Sequence, residues 1–187
     1  QERTYISQME LYKGREKLGM EEKGILLQLS NIVYPNEDES IESLHGDGGF
    51  NNCFSEKITS RSIQYSYRPN VLKKYKEFLH EDYIWKYSSK IYTILNEIRN
   101  SDGVVFIYSN YLKSGIIPLV LALEQNGYQK YDNNIILNTK NKKKISYKGD
   151  YREDYDDLKD FKQAKYIVIE SGKLTRNLEE ELKIISL

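Results

Sequence analysis

Continuous apolar runs stand out in the second half of the chain. VVFIY (Val104–Tyr108) and YIVIE (Tyr166–Glu170) are short and rich in β-branched and aromatic residues, as is typical of parallel strands buried on both faces. Between them, the segment 114–127 begins with a serine, carries a proline in its first turn and ends in Asn-Gly, which predicts a helix. This order predicts an α/β fold, a parallel sheet with flanking helices, in which 104–108 and 166–170 are neighbouring buried strands and the 115–126 helix covers one face.

The first half of the chain has weaker, mostly helical patterns. Apolar residues at helical spacing predict a helix within residues 4–20, and the run 25–33 predicts a short helix or strand that stops at Pro35. Residues 36–52 have the composition of a loop, and we expect the glycines of HGDGGF to serve turns there. Phosphate binding by these glycines is disfavoured because no strand-to-helix context surrounds them.

Two amphipathic helices are predicted between these regions. The first begins near Pro69 and has apolar positions at Val71, Leu72, Tyr75, Phe78 and Leu79. The second is capped by Ser88 or Ser89, and its apolar stripe runs to a turn at 101–103 through Ile91, Ile94, Leu95 and Ile98.

Charge and composition narrow the possible partners. Lysine plus arginine and aspartate plus glutamate number 28 each, so the chain as a whole does not attract phosphate, and any contact with nucleic acid must be local. The lysines of residues 140–144 and the acidic stretch 150–160 could neutralise one another or remain solvated. No stretch approaches the roughly 20 apolar residues of a membrane span. The single cysteine, Cys53, cannot form an internal disulfide, so we expect a reducing, intracellular setting.

The search for catalytic chemistry finds no complete site. The sequence contains no phosphate loop, no nucleophile elbow and no cysteine–histidine cluster for a metal, so we predict no catalytic, metal or cofactor-binding residues. The remaining candidate is the carboxyl end of the 104–108 run, where Ser109, Asn110, Lys113 and Ser114 precede a helix. Hydroxyls, an amide and free backbone donors suit a phosphate. The alternative, that the serines only cap and the asparagine only turns the chain, is equally open.

The line GVVFIYSNYLKSGIIPLVLALEQNGYQKY, preceded by SSKIYTILNEIRNS, resembles the fourth helicase motif and its approach in superfamily II helicases of nucleocytoplasmic large DNA viruses. The segments LLQLSNIVYP, GDGGF and YIVIESGKLTRNLEEELKI add to the resemblance. It covers most of the chain and is densest over 87–131. The resemblance implies that residues 85–187 are the N-terminal half of a second RecA-like motor domain. Residues 1–84 would be the connector between motor domains and a family-specific elaboration.

The same resemblance implies which residues touch the nucleic-acid backbone. One group is Ser109, Asn110, Tyr111 and Ser114, and the second is Gly172, Thr175 and Arg176. It also implies partners: a first motor domain, single-stranded or duplex nucleic acid and, in transcription, a viral RNA polymerase. ATP and Mg²⁺ would be bound mostly by segments outside this chain, because the family's phosphate loop and its arginine-bearing helix are both missing. We therefore expect no ATP hydrolysis by the chain alone.

Other functions stay open at this stage. The leading hypothesis is an ATP-dependent helicase or translocase of viral transcription, working in the host cytoplasm or the virion. A non-enzymatic scaffold with a helicase-like fold is the alternative, and a doubly wound small-molecule enzyme is disfavoured by the missing glycine fingerprint. The chain starts at Gln1 without methionine and stops at Leu187 inside a predicted helix, so we expect a piece of a longer protein.

Overall fold

The computed structural model describes residues 1–15, 17–38, 40–58, 63–139, 144–146, 151–152 and 161–169. Its helices are α1 (Glu2–Leu11), α2 (Met20–Asn31), α3 (Ile41–Leu44), α4 (Gly46–Cys53), α5 (Pro69–Tyr75), α6 (Glu81–Ile84), α7 (Ser89–Arg99) and α8 (Ile117–Gln125). A π-helical turn, Leu112–Ile116, leads directly into α8. The strands are β1 (Phe54–Ile58), β2 (Ile63–Tyr67), β3 (Gln129–Lys130), β4 (Lys144–Ile145), β5 (Tyr151–Arg152) and β6 (Lys165–Tyr166).

These strands form small two-stranded sheets. β1 and β2 pair antiparallel with Phe54 opposite Tyr67, and β4 and β5 pair antiparallel with Lys144 opposite Arg152. β3 and β6 pair parallel, with Gln129 opposite Lys165. The described fold is therefore a mixed helix and strand structure with one small parallel pair.

An aromatic cluster forms the centre of the core. Phe78 is fully buried and contacts the rings of Tyr34, Phe54, Tyr67 and Tyr87 at centroid distances of 5.3–6.4 Å. Several of these contacts are edge-to-face, a geometry that adds stabilisation beyond the buried area. The core continues through both halves of the chain and includes residues of α7 and α8. The predicted division into 1–84 and 85–187 stays a prediction.

Several local predictions are confirmed. α7 begins after Ser88, whose hydroxyl accepts a hydrogen bond from the Ile91 amide at 2.9 Å, and Ile91 and Leu95 are buried. The predicted helix near 115–126 is present as the π-helical turn and α8. α5 starts at Pro69 as predicted but ends before Lys76, which has a φ of 58°. Phe78 consequently reaches the core from a turn and not from the helix.

The loop predicted for residues 36–52 is wrong, because this region contains α3 and α4. Gly46 has a φ of 58°, as expected of a turn glycine, but Gly49 has another role. A Cβ atom at Gly49 would lie 2.6 Å from Cδ2 of Tyr34 and 2.8 Å from the carbonyl carbon of Leu44. Part of this glycine-rich motif therefore serves close packing of a helix against the core, which composition alone does not distinguish from a turn.

The buried strand predicted at Val104–Tyr108 is also wrong. Among the described residues this segment pairs with no strand, and Val104, Phe106 and Tyr108 are 80%, 83% and 75% exposed. Val105 is 40% exposed, and Ile107 alone packs partly against the core. The segment therefore touches the core through Ile107, while Val104, Phe106 and Tyr108 form an open apolar face. The physical reason is that an apolar run becomes buried only where a second layer and neighbouring strands cover it.

The second predicted strand, Tyr166–Glu170, is only partly found. β6 ends at Tyr166 and pairs with β3, not with 104–108, and Ile169 is 50% exposed. Glu170 lies outside the described residues. The parallel pairing predicted for this part of the chain is present, but with a different partner strand.

Candidate nucleic-acid interface

The loop that follows the exposed apolar segment is held by a serine turn. Ser109 Oγ accepts a hydrogen bond from the Tyr111 amide at 3.2 Å and donates one to the Tyr111 carbonyl at 3.1 Å. A Cβ atom on Gly115 would lie 2.2 Å from Ser109 Oγ, so only glycine fits beneath this side chain. The spacing of Ser109 and Gly115 in the sequence thus reflects direct packing of one on the other.

Ser114 connects this loop to the glycine-rich helix. Its side chain is buried, and its Oγ accepts a hydrogen bond from the Gly46 amide at 2.6 Å. The Ser114 backbone, with φ −115° and ψ 23°, forms the kink between the π-helical turn and α8. The Ser114 hydroxyl makes no cap hydrogen bond to its own helix and anchors the loop to the start of α4.

Lys113 brings a positive charge to this loop, and its ammonium group lies against three side chains of α4. Its Nζ lies 2.9 Å from Asp47 Oδ1 and 3.1 Å from Asn51 Oδ1, and 5.5 Å from the centre of the Phe50 ring. The hydroxyl of Tyr34 donates a hydrogen bond to the Lys113 carbonyl. The charge of Lys113 is therefore partly balanced by a carboxylate whose own side chain is mostly exposed.

Asn110 and Tyr111 form the outer part of the loop. Asn110 is exposed, and its Oδ1 accepts a hydrogen bond from the Tyr108 hydroxyl, so the side-chain oxygen is occupied and the NH₂ group is the donor that the residue can offer. Tyr111 is half-buried, and its carbonyl also accepts from the Ile116 amide at 3.0 Å. An exposed amide on a loop anchored at both ends can present a hydrogen-bond donor to a phosphate oxygen without a large ordering cost.

The structure brings together part of the predicted site. Ser109, Asn110, Tyr111 and Ser114 lie on one loop, with Ser114 facing inward and Asn110 facing outward. Gly172, Thr175 and Arg176 lie outside the described residues, as do Lys140, Lys142 and Lys143 of the basic run. Backbone contact by any of these residues stays a prediction.

Sequence reasoning missed the residues that support the loop. Asp47 and Asn51 of α4 hold Lys113, and Gly46 holds Ser114. The available signal was the glycine motif HGDGGF, because closely spaced glycines permit close approach of backbone segments as well as turns. The motif and the loop are about seventy residues apart in the sequence, so only folding reveals their contact.

The described residues include no reactive thiol and no metal-binding cluster. Burial raises the pKa of the Cys53 thiol to about 12, and its Sγ lies 3.4 Å from the Pro35 carbonyl oxygen, so the thiol is unreactive. Within the described ranges, no three histidine, cysteine, aspartate or glutamate side chains are grouped to hold a metal ion. In the same ranges, no helix is long and apolar enough to cross a lipid bilayer.

Comparison with known proteins gives one informative similarity. The chain is 29% identical over 107 residues to a predicted ATP-dependent RNA helicase of Acanthamoeba polyphaga mimivirus. The matched part covers 57% of this chain and 14% of the viral protein, so the chain spans only a small part of that relative. No family model matches the chain, and no solved structure matches it. The similarity indicates a relation to a helicase-like protein of a large DNA virus and does not assign the chain to a helicase subfamily.

Proposed function

We propose that this chain is part of an ATP-dependent nucleic-acid helicase or translocase and supplies backbone contacts of its second RecA-like motor domain. The observation that carries the proposal is the similarity to a predicted RNA helicase of a large DNA virus. The anchored loop at Ser109–Ser114 supports it, because it places an exposed amide beside the π-helical turn that leads into α8. Viral transcription is the process in which we place this activity, with an RNA polymerase as one candidate partner.

The proposed mechanism uses the loop as a grip on the phosphate backbone. Asn110 donates to a phosphate oxygen, and Ser109 keeps the turn in the geometry that exposes this amide. Gly172, Thr175 and Arg176 would add contacts on the same strand of nucleic acid. Closure of the two motor domains on ATP and Mg²⁺, bound mostly by other segments, would then move this grip along the strand.

A scaffold function is the second candidate, and one observation favours it. The apolar face of Val104, Phe106 and Tyr108 is exposed, and exposed apolar faces are typical of surfaces that contact another protein or domain. A scaffold would bind its partner through this face and show no ATP-dependent movement. The two candidates therefore differ in whether nucleic acid stimulates ATP hydrolysis in the full-length protein.

The deciding experiment compares Asn110→Ala and Arg176→Ala with a triple lysine-to-alanine variant at Lys142, Lys143 and Lys144, all in the full-length protein. Binding to a single strand and strand-stimulated ATP hydrolysis are measured, with Asn70→Ala, an exposed asparagine on α5, as the control. We expect the first two variants to weaken both activities and the control to leave both unchanged. If only the lysine variant weakens binding, the loop is not the contact site; if no strand stimulates hydrolysis, the scaffold function is favoured.

A further inference from the structure

The short helix α6 and the residues on either side of it present aromatic rings next to lysines. Trp85 is 54% exposed, and Lys86 Nζ lies 5.3 Å from the centre of its ring. The same Lys86 Nζ lies 6.0 Å from the centre of the Tyr83 ring. Lys76 Nζ also contacts that ring, at 5.2 Å from its centre. Two cations and two rings therefore alternate along one surface, which we call the Trp85 surface and define as Lys76, Tyr83, Trp85 and Lys86.

The rings are held in position before any ligand binds. Trp85 Nε1 donates a hydrogen bond to the Asp82 carbonyl at 3.0 Å, which restricts the orientation of the half-exposed indole. The Tyr83 hydroxyl accepts from Lys76 Nζ at 3.3 Å. Lys76 itself has a φ of 58°, so its backbone occupies a conformation that is uncommon for a residue with a side chain. Ordering these groups before binding lowers the entropy cost of a later contact.

An open cleft lies beside the Tyr83 ring. Its volume is about 340 Å³, and Lys76, Tyr83 and His80 are among the residues that line it. The cleft therefore leaves open space on the side of Tyr83 where Lys76 lies.

Lysines and carboxylates both lie at this surface, and their partners differ. Asp82 Oδ2 lies 3.2 Å from His80 Nδ1, which accepts a hydrogen bond from the Asp82 amide, and Glu81 forms an ion pair with Arg99. Glu77 also lines the cleft, and its Oε1 accepts a hydrogen bond from Thr139 at 2.7 Å. Among the described residues, Lys76 and Lys86 form no ion pair, so both charges face the rings and the solvent.

We propose that the Trp85 surface binds single-stranded nucleic acid, with a base stacked on Trp85 and phosphates next to Lys76 and Lys86. Aromatic side chains stack on unpaired bases of any sequence, and neighbouring lysines neutralise the phosphates between them. A duplex keeps its bases stacked on each other and cannot use the indole in this way. This inference deepens the proposed function, because it rests on nucleic acid being the ligand and adds a single-strand contact separate from the Ser109–Ser114 loop.

The chain contains one tryptophan, so its fluorescence reports directly on Trp85. The test titrates the chain with a single-stranded RNA of about 12 nucleotides and with a blunt duplex of the same sequence. We expect the single strand to quench the fluorescence and the duplex to quench it weakly. Equal quenching by both, or none by either, would overturn the proposal.

Variants then separate stacking from charge. Trp85→Ala should weaken single-strand binding about 5- to 150-fold, as expected for loss of one stacked base, and Trp85→Phe should retain most of the affinity. Lys86→Ala should lower the slope of log affinity against log salt concentration by about 1, because one fewer counterion is released on binding. Tyr92→Ala, which removes a partly exposed ring from α7, is the matched control and should bind as the unmodified chain does. Circular dichroism of each variant checks that it is folded.

The loop variant distinguishes the failure of this inference from that of the proposed function. If Asn110→Ala weakens single-strand binding and Trp85→Ala does not, the Trp85 surface is excluded and the proposed loop stands. The reverse result supports the Trp85 surface and excludes the loop. If the unmodified chain binds no nucleic acid, both are excluded.

Discussion

The helix α8 and the segment Val104–Tyr108 are both continuous apolar runs, yet the first is buried and the second is largely exposed. Leu119, Leu121 and Leu123 of α8 are at most 6% exposed, whereas Phe106 is 83% exposed. α8 packs against the aromatic cluster, while the segment has only Ile107 partly in contact with the core. Burial of an apolar run is favourable in free energy, but the run becomes buried only where neighbouring layers of the fold cover it.

The largest effect is expected from a truncation inside α8. Leu121→Ala removes a fully buried side chain and leaves a cavity, which should lower the free energy of unfolding by about 2–5 kcal/mol. Urea unfolding followed by circular dichroism measures this change. Leu72→Ala, a truncation of a 41% exposed leucine on α5, is the control and should cost much less. Equal costs for the two variants would contradict the burial of α8.

A second prediction concerns the junction between the segment and the helix. Ser114→Ala removes the acceptor of the Gly46 amide and should lower the free energy of unfolding by about 1–3 kcal/mol. Hydrogen exchange at the Gly46 amide should accelerate in the same variant. Ser109→Ala, whose hydrogen bonds are local to its own turn, serves as the comparison and should leave that amide protected. Unchanged protection of Gly46 in Ser114→Ala would show that the two regions are not linked through this bond.

A third prediction concerns the carboxylate at the end of α8. Glu124 accepts hydrogen bonds from the Ile136 and Leu137 amides at 2.9 and 2.6 Å and from the Tyr166 hydroxyl at 2.6 Å. Burial raises the pKa of Glu124 above its ordinary value of 4.5, although these hydrogen bonds act in the opposite direction. The folded chain thus binds this proton more tightly than the unfolded chain.

The sign of the pH effect follows from this linkage. The stabilising contribution of protonated Glu124 is fully present below pH 4.5 and is lost as pH rises through the higher pKa of the folded state. Urea unfolding at a series of pH values measures it as the difference between the unmodified chain and Glu124→Gln, which cannot titrate. The stability of Glu124→Gln should fall less with rising pH than that of the unmodified chain, because the variant has no proton to lose at this position. Parallel pH curves for the two proteins would contradict a raised pKa.

The smallest effect on stability is expected in the exposed segment. Phe106→Ser should change the free energy of unfolding by no more than about 0.5 kcal/mol, because the ring has few contacts to lose. The same variant should reduce self-association at high concentration, since it interrupts an exposed apolar face. Sedimentation and urea unfolding measure the two effects. A loss of stability comparable to that of Leu121→Ala would mean that the segment is covered in solution.

The sequence by itself determined the local structure where a few neighbouring residues decide it. Ser88 could be recognised as a helix cap and Pro69 as a helix start, because both act through contacts within one turn. The helical periodicity of α7 and the apolar character of α8 are likewise properties of short segments. The loop at Ser109–Ser114 was identified as a candidate site for the same reason, since its residue types precede a helix.

Only the tertiary structure decided which apolar run is covered and what the polar residues contact. Composition could not show whether Gly49 serves a turn or close helix packing, because both roles require a residue without a side chain. The roles differ only in the residues that lie nearby in the folded protein. Ser114 was predicted to face a ligand or cap its helix, yet it bonds to Gly46, which the fold brings from far away in the sequence. Val104–Tyr108 lacks a covering layer although its sequence is that of a buried strand, since burial depends on the geometry of distant segments.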